Sequence, residues 1–85
     1  MPTSTVIVGS AVGLHARPAA IIAAAAIDLG EEVTLAIPGG EPVDARSALL
    51  IMTLGAAKGD SVEVSSPSKS VHDSIVTLVA QDLDA

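Results

Sequence analysis

Gly13-Leu14-His15-Ala16-Arg17-Pro18-Ala19-Ala20 opens a run that continues as Ile21-Ile22-Ala23-Ala24-Ala25-Ala26-Ile27-Asp28-Leu29 and stops at Gly30. From Arg17 to Leu29 the chain is almost all Ala, Ile and Leu. Pro18 stands near the beginning, where a missing N–H is tolerated, and a glycine follows the last apolar residue. That asymmetry predicts a helix. Upstream, Thr3 to Val8 is short and largely β-branched, which predicts a strand, and Gly9 to Gly13 is a glycine-punctuated loop. Downstream, Val33, Leu35 and Ile37 alternate with Thr34 and Ala36, the period of a half-buried strand. Pro38-Gly39-Gly40-Glu41 then supplies a turn, and Val43 with Ala45 a short return strand, so this segment predicts a hairpin.

The second half repeats the alternation of element types. Ser47 precedes the apolar segment Ala48 to Leu54, closed by Gly55, and predicts a helix of about two turns with Ser47 as its N-cap. Ala56 to Asp60 is a turn, and Val62 and Val64 alternate with Ser61, Glu63 and Ser65 as a strand. After Pro67, the residues Val71, Ile75, Leu78, Val79 and Leu83 recur at helical spacing. The expected order is β-α-β-β-α-β-α in a single domain over residues 1–85. Four short strands with hairpin-compatible links predict an antiparallel sheet covered on one face by three helices, an α+β open-faced sandwich.

Composition narrows what such a domain can do. The 85 residues are 49% apolar and include no aromatic residue, so Val, Ile, Leu and Ala must fill a modest core. Cysteine is absent, which excludes disulfides and thiolate metal sites. The first residues show neither a basic nor an apolar signal region, and the apolar run Pro18 to Ile27 is far shorter than the ~20 residues of a membrane span. A cytoplasmic monomer without membrane insertion is expected. Ten acidic residues against Arg17, Arg46, Lys58 and Lys69 leave a net charge of -6, the wrong sign for nucleic acid or for anionic membranes. His15 and His72 share no metal-ligand spacing, so no metal is expected. Gly55 to Asp60 lacks the Walker pattern of a nucleotide loop, and no cofactor is expected.

His15 stands immediately before the first helix. A helix N-terminus carries unpaired N–H groups and about half a positive charge, and therefore attracts anions. Neutral imidazole is a nucleophile able to attack phosphorus. A phosphoryl group on His15 would lie over the backbone amides of Ala16 and Arg17, and the Arg17 guanidinium would add charge-assisted donors. An arginine at a helix start opposes the macrodipole by ~0.3–1 kcal/mol, which asks for a reason such as a bound anion. These residues alone leave open whether the site is catalytic, merely anion-binding, or an ordinary loop histidine.

Leu14-His15-Ala16-Arg17-Pro18-Ala19 resembles the active-site signature of the HPr family, the phosphocarriers of the bacterial phosphoenolpyruvate:sugar phosphotransferase system. A second block, from Arg46-Ser47-Ala48-Leu49 through Leu54-Gly55 to Lys58-Gly59, resembles that family's basic-Ser…Leu-Gly…Gly segment. The resemblance implies that His15 accepts a phosphoryl group on Nδ1 from enzyme I, charged by phosphoenolpyruvate, and passes it to IIA domains of sugar permeases. It implies a carrier, not a turnover enzyme, with Arg17 stabilising the phosphoryl group. It makes Ser47 the counterpart of a serine modified in some bacteria by an ATP-dependent kinase and restored by a phosphatase. Ala20, Arg46 and Leu49 become partner contacts. An alternative is an HPr-like regulatory interaction protein signalling through Ser47, which the presence of both His15 and Arg17 disfavours. An autonomous small-molecule enzyme is disfavoured by the missing nucleotide loop, metal ligands and second general base.

Relatives often carry lysine where this chain has Ala24, Ile27 and Leu50, so its partner surface is expected to be more apolar and less basic. Ala20 and Leu49 are expected to form an exposed apolar patch beside the site. Ala19, Ile21, Ile22 and Ile27 are expected to serve as core or packing residues. His72, beside Asp73 near the start of the last helix, is expected to be a solvated surface residue.

Overall fold

A computed structural model of the chain describes residues 2–82. Its elements are β1 (Thr3–Ile7), α1 (Ala16–Leu29), β2 (Thr34–Ala36), β3 (Val43–Asp44), α2 (Ala48–Thr53), β4 (Ser61–Ser65) and α3 (Lys69–Ala80). The strands form one sheet in the order β1-β4-β2-β3, with every pairing antiparallel. β2 and β3 make the expected hairpin, with Thr34 opposite Asp44 and Leu35 opposite Val43. β4 slots between β1 and β2, so the first and last strands are neighbours, paired from Thr3–Ser65 to Ile7–Ser61.

The period of two decides which face is covered. Val6, Val62, Val64 and Leu35 point to the helical side and are buried, while Thr3, Thr5 and Ile7 face solvent. α1 contributes Ala19, Ile22, Ala23 and Ala26 to the core, α2 contributes Ile51, and α3 contributes Val71, Ile75 and Val79. The open-faced α+β sandwich read from the sequence is the observed architecture. Helix ends follow local chemistry. Ser47 Oγ accepts from the Leu50 amide at 3.2 Å, Ser68 Oγ from the Val71 amide at 3.5 Å, and α1 ends on Gly30 in the left-handed region. α1 begins one residue earlier than expected, at Ala16, and β1, β2 and β3 are one or two residues shorter than expected, while β4 spans Ser61–Ser65 as expected. Leu83 lies outside the described residues.

Two expectations are corrected. Ile27 is 61% exposed and is no part of the core. With Ala19, Ile22, Ala23 and Ala26 turned inward, Ile27 shares the outer line with exposed Ala20 and Ala24, four and three residues apart. An all-apolar helix gives periodicity too little contrast to orient it. His72 is not solvated: it is only 7% exposed. Its neighbours Val71 and Ile75 fix the inward face of α3, and that places the imidazole over β1. Nε2 lies 3.0 Å from Ser4 Oγ, and Nδ1 lies 2.8 Å from Asp73 Oδ1. An ionised carboxylate only accepts, so Nδ1 donates to Asp73, and in the neutral form of the ring Nε2 accepts from the Ser4 hydroxyl.

Candidate functional site

His15 is the N-cap residue of α1, with extended backbone (φ -87°, ψ -166°). It caps with its carbonyl only, accepting from the Ala19 amide at 2.8 Å, while its imidazole makes no capping bond. The ring is exposed and borders a cavity of about 130 Å³ lined also by Val12, Leu14, Met52, Gly55, Ala56 and Ala57. Drug-sized ligands occupy roughly 300–1,000 Å³, so this hollow suits a group of a few atoms.

Three features fix the helix end. Pro18 is buried and has no N–H, so the first turn's unpaired donors reduce to the amides of Ala16 and Arg17, for which no acceptor exists among the described residues. Leu14 is buried, and its amide donates to the Ala56 carbonyl at 2.9 Å. Gly13, at φ +74°, permits that contact: a Cβ there would stand 2.5 Å from the Ala56 oxygen and 2.8 Å from the Ala57 Cα. The loop bearing His15 is thus pressed against the segment that follows α2, and their junction forms the cavity.

Arg17, one residue into the helix beyond Ala16, is exposed and has no ion-pair partner among the described residues. The other arginine differs. Arg46 grips Asp44 through Nε at 3.0 Å and through a terminal nitrogen at 2.9 Å, and its amide adds a bond of 2.9 Å to the same carboxylate. These bonds hold the Asp44 carboxyl below its ordinary range and raise the Arg46 guanidinium above its own.

The structure brings together His15, Ala16 and Arg17 at one helix end. It does not bring Ser47 or Arg46 to the cavity. They stand at the start of α2, whereas Met52 and Gly55, at and beyond its other end, form the cavity wall. Ala20 on α1 and Leu49 on α2 are both exposed, Leu49 at 70%, on helices that pack together. Ala24 and Leu50 are exposed as well, which matches the expected apolar surface. The sequence reading missed the far wall, Met52 and Gly55 to Ala57. The only local signals for it were the glycines at positions 13 and 55. Among the described residues no helix is long and apolar enough to cross a membrane, and no group of His, Asp and Glu could hold a metal ion.

Comparison with known proteins follows the same outline. Residues 2–82 match the family model described as "PTS HPr component phosphorylation site". The phosphocarrier protein HPr of Streptomyces coelicolor is 40% identical over 80 residues, covering 91% of this chain and 86% of the relative. That of Mycoplasma pneumoniae is 31% identical over 75 residues, covering 88% and 85%. A crystal structure of HPr-C-His from Thermoanaerobacter tengcongensis superposes with a TM-score of 0.83 at 28% identity, covering 93% of this chain and 91% of the other. A Bacillus anthracis phosphocarrier protein HPr superposes at 0.79 with 25% identity, covering 93% of each chain.

Proposed function

The chain belongs to the HPr phosphocarrier family of the phosphotransferase system, and from that premise we propose that His15 carries the phosphoryl group, taking it from phosphorylated enzyme I and delivering it to IIA domains of sugar permeases. The observation that carries this reading is the position of His15: an exposed imidazole with no capping bond, at a helix end whose first two amides and Arg17 side chain have no partner among the described residues.

The ring, as neutral imidazole, attacks phosphorus through one nitrogen. The bond to the donor's leaving group breaks, and the ring proton leaves as the phosphohistidine forms. Charge then spreads over the equatorial phosphoryl oxygens, where the Ala16 and Arg17 amides, the positive end of α1 and the Arg17 guanidinium offset it. The backbone donors need not reorganise, because Pro18, Gly13 and the Leu14–Ala56 bond already hold the helix end. Partner docking uses the exposed apolar side chains of Ala20, Ile27, Leu49 and Leu50 more than basic ones, with Arg46 tied to Asp44. Action of this carrier in the cytoplasm follows from partners that work there.

The test is mass spectrometry after incubation with enzyme I and phosphoenolpyruvate. One acid-labile phosphoryl group on the peptide containing His15 is expected. Phosphorylation elsewhere, with His15 unmodified, overturns the assignment.

A further inference from the structure

The chain has four basic side chains against ten acidic ones. Arg46 is paired with Asp44 at 2.9 Å, and Lys69 with Asp73 at 2.9 Å. Arg17 and Lys58 form no ion pair among the described residues, so these are the two cations left uncompensated there. Each is close in sequence to a stretch that borders the cavity, though neither lines it. Arg17 sits in the first turn of α1, and Lys58 directly follows Ala56 and Ala57, which line the cavity beside His15.

The turn holding Lys58 is tied down on both sides. Ala57 donates to Asp60 Oδ2 at 2.9 Å, and Asp60 donates back to the Ala57 carbonyl at 3.0 Å. Gly59 donates to the Val8 carbonyl at 3.0 Å. The one nearby carboxylate in this turn, Asp60, therefore closes on a backbone amide while the exposed lysine side chain is left without an ion pair. In a protein of net charge -6, an incoming phosphoryl anion meets overall repulsion, and local positive charge at the site is what offsets it.

We propose that Lys58 is a second cation of the phosphoryl site, acting with Arg17 on the group carried by His15. Arg17 supplies a directional fork at the helix end, and Lys58 supplies a point charge from the turn that follows the wall residues Ala56 and Ala57. The inference rests on phosphorylation at His15. A neighbouring cation favours the dianionic phosphoryl group and steers its approach, and both effects weaken as salt screens them.

Wild type, Lys58→Gln, Lys58→Arg and, as a control on the far helix, Lys69→Gln are charged with enzyme I and phosphoenolpyruvate at low and high salt. The phosphorylated forms are then titrated by 31P NMR. Lys58→Gln should be charged about 3- to 10-fold more slowly at low salt, with the gap closing at high salt. Its phosphoryl resonance should titrate at higher pH than wild type, while Lys58→Arg and Lys69→Gln follow wild type. A Lys58→Gln protein that matches wild type in rate and titration overturns the inference while leaving His15 phosphorylation intact. A slower rate with an unmoved titration also overturns it, by placing Lys58 against the partner. If wild type accepts no phosphoryl group on His15, the underlying reading fails first.

Discussion

The two histidines of this chain occupy similar positions and opposite situations. Each lies at the start of a helix, His15 as the N-cap of α1 and His72 in the first turns of α3. His15 is exposed, and its ring makes no capping bond. His72 is 7% exposed and has both nitrogens engaged, one by Asp73 and one by Ser4. A ring with both nitrogens occupied in a packed interface ties α3 to the edge strand β1 and has no lone pair to offer. A ring at an unpaired helix end has one. On the proposed function, chemistry and cohesion are divided between two copies of the same side chain, by what surrounds them.

The sharpest way to break this contrast is to remove each ring in turn. His15→Ala should abolish enzyme I-dependent labelling and leave thermal melting near wild type. His72→Ala should still be labelled, yet lose about 1–3 kcal/mol of stability as Ser4 and its neighbourhood lose a buried partner, a drop in Tm of roughly 5–15 °C for a domain of this size. Labelling that survives in His15→Ala and vanishes in folded His72→Ala would reverse the roles.

Arg17 extends the comparison from rings to their surroundings. Arg17→Ala should slow phosphoryl transfer by the equivalent of about 2–4 kcal/mol, the worth of one lost oxyanion-type donor. Arg17→Lys should restore part of that, since a point charge lacks the planar fork. Rapid-quench kinetics with enzyme I decide the matter. Unchanged rates in Arg17→Ala would leave the two amides and the helix field as the whole stabilising apparatus.

Ser47 marks a helix start of a third kind, already capped by its own hydroxyl. Ser47→Ala should cost ~1 kcal/mol of stability. Ser47→Asp should melt near wild type, because an anion suits that end of the helix. If the start of α2 also meets enzyme I, only the Asp variant will be charged slowly, and equal rates for wild type and Asp would restrict Ser47 to capping.

The smallest effect concerns the anchor of His72. Asp73 is held below the ordinary carboxylate range first by its bond to Lys69 and then by that to His72. A lowered carboxyl pKa contributes stability at and above the unfolded value and loses it as pH falls through the folded one. The difference in stability between wild type and Asp73→Asn should therefore be constant near neutrality and shrink below about pH 4. Because the group is exposed, the difference should be slight and weaker in salt. Urea titrations at several pH values measure it, and a gap that widens on acidification contradicts the assignment.

The order of elements and the heart of the site were legible in the sequence because their causes are local. Pro18 and Gly30 bracket α1, Ser47 caps α2, and His15, Ala16 and Arg17 share one helix end by mere adjacency. Strand alternation likewise placed Val62, Val64 and Leu35 on a covered face. Tertiary structure decided whatever depends on residues far apart in the chain. It put β4 between β1 and β2, and it closed the His15 cavity with Met52 and Gly55 to Ala57, some forty residues away. It also turned Ile27 outward on a helix whose uniform apolarity could not orient it. His72 shows the reason most plainly. Beside Asp73 it reads as a surface residue, and only the packing of α3 on β1, which brings Ser4 to its second nitrogen, makes burial cheaper than solvation.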